Sequence, residues 1–349
     1  MSLKAVLRLT IVFGILATMS IGLIHAQEPE SVCLVTDLGK VNDGTFNQFA
    51  YEGMLRAADE FDLANDFIET QAQTDYAANI NTCVEEGFDI ISSVGFLLAD
   101  DTKAAAIDNP DIWFIGVDAF FEDEGIANLV GLQFREDQAG FLAGAMAALM
   151  TETDTVAGVY GLDVPPVVRF RNGFEQGAKY INPDIEALGV YIPDFQAPDL
   201  GSAAAEQFIG EGADVIFGAG GPTGSGGILQ AAQQDVMVIG VDQDEYFTTF
   251  GEGETPGAEY LITSAMKRVD NGVFDMIEAA IEGEFPGPIY VLSVANEGIG
   301  FAEAHDAEVP EEVVEEVTAI LEGLGEEEIE TGVDFVTGML IEDMEEAED

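Results

Sequence analysis

The sequence predicts an α/β protein built as two doubly wound parallel-sheet lobes. Two observations carry that expectation. Short apolar runs alternate with segments of helical spacing through nearly the whole chain, and the runs are continuous in Val, Ile and Leu, as strands buried on both faces must be. One strand–helix–strand unit also recurs. Glu86-Gly-Phe-Asp89-Ile-Ile leads to Phe114-Ile-Gly-Val-Asp118, and Glu211-Gly-Ala-Asp214-Val-Ile leads to Val238-Ile-Gly-Val-Asp242. A matched unit in each half means two similar lobes, and 349 residues suffice for two cores.

The chain opens with Lys4 and Arg8, an apolar run from Leu9 to Ile24, and the small residue Ala26. This is the pattern of a secretory leader over residues 1–26. The run is short for a membrane anchor and is broken by Thr10, Thr18 and Ser20. No Cys stands at the cleavage point, so no lipid anchor is expected, and the mature chain is expected in the periplasm or at the cell exterior.

The first lobe is expected over residues 27–136. Val32-Cys-Leu-Val-Thr36 reads as a buried strand, and Phe46 to Phe61 as an amphipathic helix. A strand at Phe67–Thr70 follows, then a helix from Tyr76 to Glu86 stopped by Gly87. Asp89–Val94 is the next strand, Asp101–Ile107 a helix, and Trp113–Asp118 and Asn128–Leu132 are strands. The second lobe is expected over 137–263. Its strands are Thr155–Tyr160, Glu186–Tyr191, Asp214–Phe217 and Met237–Asp242; its helices are Val168–Tyr180, Ser202–Ile209 and one reaching Gln233 after a Gly-rich loop at 218–227. Thr263 to Ile281 reads as a helix, Pro288–Ser293 as a strand, and Glu311–Leu324 as a helix. Return segments 264–287 and 288–341 are assigned to the first and second lobes, and 342–349 is an acidic tail, solvated or frayed.

Charge excludes some partners. The chain has 67 acidic and 11 basic residues, for a net charge of -56. Nucleic acid needs a basic surface, and anionic lipid repels such a chain. A solvated acidic surface suits a salt-rich exterior, where screening suppresses self-repulsion.

Residue types exclude some chemistries. After the leader His305 is the sole histidine, and Cys33 and Cys83 are the only thiols. That set makes neither an ordinary zinc site nor a Ser–His–Asp or Cys–His relay, so no cofactor is expected. With 67 acids some carboxylate pair falls close by accident, which carries little weight for a hydrolase. Cys33 and Cys83 are either a disulfide of an exported protein or two buried thiols. Gly218–Gly227 lacks the Gly-Lys-Ser/Thr ending of a phosphate loop and reads either as a close approach of backbone to a neutral ligand or as a plain flexible loop. Asp242-Gln-Asp-Glu245 lacks the glycine and distal glutamate of a calcium loop. Asp118 and Asp242 each end a strand, and ligands of open α/β sheets bind at the carboxyl ends of strands. Two facing lobes then give a cleft lined by Asp37, Asp118 and Asp242.

Val35-Thr-Asp-Leu-Gly-Lys-Val-Asn-Asp-Gly-Thr-Phe-Asn47 resembles the opening of the basic membrane protein family of substrate-binding proteins, whose pattern is roughly D-x-G-G-x-D-D-x-S-F-N-Q. That family in turn resembles the purine nucleoside receptor of ABC importers. Further matches are Gln73-Thr-Asp-Tyr76, Val94–Leu98, Gly161–Pro166, Asn172-Gly-Phe174, Gly240-Val-Asp242 and Lys267–Gly272, in order along nearly the whole mature chain. The resemblance implies a type I periplasmic-binding-protein fold with three hinge crossings, a ligand between the lobes, and no catalysis. The expected function is that of an extracytoplasmic binding protein delivering a purine nucleoside to ABC permease and ATPase subunits, working as a monomer. A sugar or other small polar ligand is the alternative; a calcium-dependent nucleoside hydrolase and a sensory receptor of the same fold are rivals.

The expected ligand residues follow from that chemistry. A purine needs two flat apolar faces. Phe46 matches the family's stacking aromatic, and Phe195 resembles the one on the opposite lobe. Asp37, Asn42, Asp43 and Asn47 come from the opening motif, and Asp37 and Asn47 suit the polar edge of a base. Asp242 suits ribose hydroxyls, with Lys267 bridging to it, and Asp118 comes next. Gly220 and Gly221 let backbone approach the ligand. The chain departs from the family pattern at Lys40, at Asn42 and at Gly44-Thr45. Lys40 is expected to place a charge at the cleft mouth.

Overall fold

The computed structural model describes residues 28–348. The leader expected over 1–26 lies outside the described residues. The first lobe begins with β1 (Ser31–Val35), α1 (Phe46–Glu60), β2 (Ala64–Ile68), α2 (Tyr76–Glu86) and β3 (Ile90–Val94), then α3 (Ala99–Asp108), β4 (Trp113–Val117) and β5 (Leu129–Phe134). The second lobe continues with α4 (Glu136–Met150), β6 (Thr155–Tyr160), α5 (Pro165–Ile181), β7 (Glu186–Tyr191), α6 (Pro198–Glu211) and β8 (Val215–Ala219). It then takes α7 (Gly221–Ala232), β9 (Met237–Asp242) and β10 (Leu261–Lys267). The chain returns through α8 (Val269–Glu282) and β11 (Ile289–Leu292), and ends with β12 (Ile299–Phe301), α9 (Glu311–Gly325) and α10 (Ile341–Glu348).

The sheets run β11-β5-β4-β3-β1-β2 and β12-β10-β9-β8-β6-β7, so each lobe repeats one strand order. Within the two sheets, all strand pairings among the described residues are parallel except that of β12 with β10. Val32–Val35 and Val215–Ala219 are fully covered because helices lie on both faces of each sheet. The repeated Asp89 and Asp214 do the same work in each lobe. Asp89 accepts from the Glu30 amide (2.9 Å) and the Ser31 hydroxyl (2.8 Å), and Asp214 from the Glu152 amide (2.7 Å) and the Thr151 hydroxyl (2.5 Å). Each ties the segment leading into the first strand of its lobe.

Several elements differ from the sequence reading, among them the strand expected at 67–70, which is Ala64–Ile68, and the tail expected over 342–349, which is helical over Ile341–Glu348. Residues 261–267 form a strand paired with β9, not a helix, so the second crossing follows Lys267 rather than residue 263. β11 pairs with β5, so residues 288–292 belong to the first sheet and the third crossing follows Leu292 rather than residue 287. The Gly-rich segment is not a loop: α7 starts at Gly221. Its glycines let helices and strand meet, for a Cβ on Gly226 would strike the Pro198 backbone and one on Gly218 the Gly224 carbonyl. α4 is an additional helix. It lacks amphipathic spacing because Glu136–Ala147 is buried all round. Its Gly140 and Gly144 lie against the backbone of Phe170 and Phe174 on α5, and Gly173 and Gly177 of α5 lie against that of Asp137 and Phe141, so larger residues at any of the four would force the helices apart. Cys33 on β1 and Cys83 on α2 form a disulfide, with Cα atoms 6.0 Å apart.

Candidate ligand-binding site

Carboxyl ends of strands from both sheets meet in one cavity between the lobes. Asp37, Asp43, Phe46, Asn47, Asp118, Phe195, Gly220, Gly221, Asp242 and Lys267 all line it. Asn42 does not. The Asp43 amide donates to the Lys40 carbonyl (3.1 Å), a turn that leaves both Lys40 and Asn42 exposed. Lys40 therefore puts no charge into the cavity.

The first-lobe wall is organised by the start of α1. Asp43 caps that helix: Oδ1 accepts from the Thr45 and Gln48 amides (3.0 and 3.1 Å), and Oδ2 from the Asn47 amide (3.2 Å). Oδ2 also accepts from Asn47 Nδ2 (2.9 Å), which donates in turn to Asp37 Oδ1 at 2.9 Å. Asn47 Oδ1 is buried with no hydrogen-bond partner among the described residues. Burial pushes Asp37 up to about 6 even though Gly39 and Asn47 donate to it.

The second-lobe wall carries Phe195 on the loop before α6. Thr223 holds that loop: its amide donates to the Phe195 carbonyl (3.1 Å) and its hydroxyl to the Asp194 carbonyl (2.6 Å). Gly220 sits at φ 143 and packs on Gly161 with no room for a Cβ, so it lets two strand-end turns meet beside Phe195.

The floor is ionic. Lys267 Nζ lies 2.7 Å from Oδ1 and 2.9 Å from Oδ2 of Asp118, and 2.9 Å from Glu136. Glu136 pairs with Arg169 at 2.6 Å. Lys267 also stands 4.8 Å from the centroid of the Phe46 ring. The expected bridge from Lys267 to Asp242 is not made; Lys267 is taken by Asp118 and Glu136. Burial raises Asp118 against the pull of Lys267, and raises Asp242 to about 8. Burial would lower Lys267, but Asp118, Glu136 and Asp242 together hold it high. Asp242 therefore presents a carboxyl with no protein hydrogen bond or ion pair among the described residues.

The lobes touch at the rim. The Thr248 hydroxyl donates to the Gly44 carbonyl (2.8 Å) and Gln243 Nε2 to the Thr45 carbonyl (3.3 Å). Sequence reasoning did not find Glu136, Arg169 or these rim residues. The scarcity of bases was a usable signal: an arginine inside Pro165-Pro-Val-Val-Arg169-Phe, in a chain with 11 bases, needs a partner. No group of acids, histidines or cysteines suited to a metal occurs among the described residues.

The family described as ABC transporter substrate-binding protein PnrA-like, Bmp, matches residues 30–333. The chain belongs to the Bmp family. Bmp proteins are substrate-binding proteins of ABC transporters, not enzymes. This Bmp chain is 30% identical to the ABC transporter nucleoside-binding protein BmpA of Lactococcus lactis, over 83% of its own length and 86% of that protein. It is 32% identical to the CD4+ T-cell-stimulating antigen of Listeria monocytogenes, over 79% and 81% of the two chains. A solved solute-binding protein of an ABC transporter system from Aeropyrum pernix superposes with a TM-score of 0.75 at 27% identity, covering 91% of this chain and 98% of that one. The Bmp fold seen here is thus the type I fold of periplasmic solute-binding proteins. No helix among the described residues is long and apolar enough to cross a membrane.

Proposed function

We propose that this protein binds a purine nucleoside between its lobes and delivers it, outside the cytoplasmic membrane and as a monomer, to the permease and ATPase of an ABC importer. One observation carries the reading: Phe46 and Phe195 line a single cavity from opposite lobes, each with polar groups beside it. Two aromatic faces suit a flat base. Asp37 and Asn47, next to Phe46, suit its polar edge. Asp242, with no hydrogen bond or ion pair among the described residues, suits the hydroxyls of a ribose diol. The nucleoside-binding relative from Lactococcus lactis supports the same assignment.

A thermal-shift screen of ligand-depleted protein tests it, with adenosine, guanosine, inosine, cytidine, free bases, ribose and common sugars. A ligand at a hundred times its dissociation constant adds about 2.7 kcal/mol of stability. The expected result is a shift with purine nucleosides that disappears in Phe46→Ala. Shifts with sugars alone, or none with any nucleoside, overturn the assignment and leave the fold standing.

A further inference from the structure

The two hinge crossings that enter helices are built alike. After β5 the chain reads Phe134-Arg-Glu-Asp137, and after β10 it reads Lys267-Arg-Val-Asp270. In each, the arginine clamps the aspartate two residues on: Arg135 to Asp137 at 2.8 and 2.7 Å, Arg268 to Asp270 at 2.8 and 2.7 Å. In each, a glycine of the neighbouring helix lies flat on that aspartate's backbone, Gly173 on Asp137 and Gly53 on Asp270. Four residues before those glycines stand Arg169 and Phe49.

The repeat therefore equates Phe134 with Lys267, Val269 with Glu136, and Phe49 with Arg169. One copy is apolar: Phe49, Phe134 and Val269 are buried in a single core cluster. The other copy is charged, and its three members are bonded in a row, Lys267 to Glu136 at 2.9 Å and Glu136 to Arg169 at 2.6 Å. All three are almost wholly buried. The fold does not need ions here, since its own other half does without them. Buried ion networks are commonly no more stabilising than apolar residues of similar volume. The charges exist for something the apolar copy does not do, and what distinguishes this copy is that Lys267 reaches the cavity.

We propose that Glu136 and Arg169 are positioning residues for the ligand: through Lys267 they keep the cavity's cation on Asp118 and away from Asp242, so that the Asp242 carboxyl stays free to hydrogen-bond the ligand. Neither residue lines the cavity. Glu136 supplies the second acceptor that fixes the Lys267 ammonium. Arg169 balances Glu136, and without it Glu136 would draw Lys267 off Asp118. The other charges facing this group are Asp37 and Asp43 of the first lobe, Arg135 and Asp137 at the start of α4, Asp334, and Glu245 near Asp242. The role rests on the nucleoside reading for its ligand but not for its electrostatics, so the test has a ligand-free arm.

That arm follows the Asp242 carboxyl by 13C NMR against pH, assigned with Asp242→Asn. Glu136→Gln releases Lys267 toward Asp242 and moves its titration midpoint down; Arg169→Gln leaves Glu136 unbalanced and moves it up. The second arm measures inosine affinity, expected to weaken about ten-fold in each variant. The double variant Glu136→Val/Arg169→Phe copies the apolar half and serves where a single variant does not fold. It is expected to fold and to keep the weakened affinity. Midpoints that stay fixed, or move together, overturn the proposal, as does wild-type affinity in the double variant. Midpoints that move in opposite directions while inosine fails to bind the unmodified protein support the relay and remove the nucleoside assignment instead.

Discussion

Asp118 and Asp242 occupy equivalent places in the two lobes, each at the carboxyl end of the fourth strand of its lobe and each with left-handed backbone, φ 61 and φ 67. Aspartate tolerates that conformation better than most residues. The same backbone turn brings two carboxyls to one cavity, yet they meet different surroundings: Asp118 holds Lys267, and Asp242 has no hydrogen bond or ion pair among the described residues.

Stability of the ligand-free protein should fall as pH rises. Burial raises Asp37 to about 6, Glu245 to about 7 and Asp242 to about 8. The unfolded chain releases these protons near pH 4, so between about pH 4 and 8 the native state holds more protons and loses stability with each step upward. Scanning calorimetry at fixed high salt should show a melting temperature that declines across that window. Asp242→Asn should flatten its upper part; a slope unchanged in that variant would mean Asp242 is ionised in the native protein.

Closure should draw on the shorter of the two rim hydrogen bonds. Thr248→Val keeps the volume but removes the donor to the Gly44 carbonyl. A hydrogen bond of this kind contributes about 0.5–1.5 kcal/mol. Ligand dissociation, followed by stopped-flow fluorescence, should speed up several-fold while the ligand-free melting temperature barely moves. Equal rates would place closure elsewhere.

The disulfide should matter for stability. Cys33 and Cys83 are separated by 50 residues. Restricting an unfolded loop of that length is worth about 4 kcal/mol on chain entropy. Denaturant titration of Cys33→Ala/Cys83→Ala should show a midpoint well below that of the parent. Identical curves would show that the bond does not constrain the unfolded chain.

Salt should stabilise this protein. With a net charge of -56 the folded surface repels itself. Raising salt from about 0.1 M to 1 M shortens the screening length from about 10 Å to about 3 Å. The melting temperature should climb; a flat or falling response would mean surface repulsion is not what limits stability.

The lobes were legible because strands such as Val32–Val35 and helices such as α1 carry unmixed patterns. β10 and α4 were not, because both are buried on every side and lose their periodicity. Lys267 was legible as a cavity residue through its motif, but its partners were not. Glu136 and Arg169 are separated by 33 residues and meet only when α4 and α5 pack. Asn42 was misplaced because a four-residue turn, not the motif, decides which way its loop faces.

The order of strands has a consequence for how the chain matures. β5 lies between β4 and β11, and β11 comes from residues 289–292. Until that late segment has been synthesised, the first sheet keeps one flank of β5 open, with unpaired amides and carbonyls ready to join a stray strand. The first lobe is thus the earlier to begin and among the last to be sealed, and a chain interrupted before residue 289 is one that should aggregate rather than persist as a half-molecule.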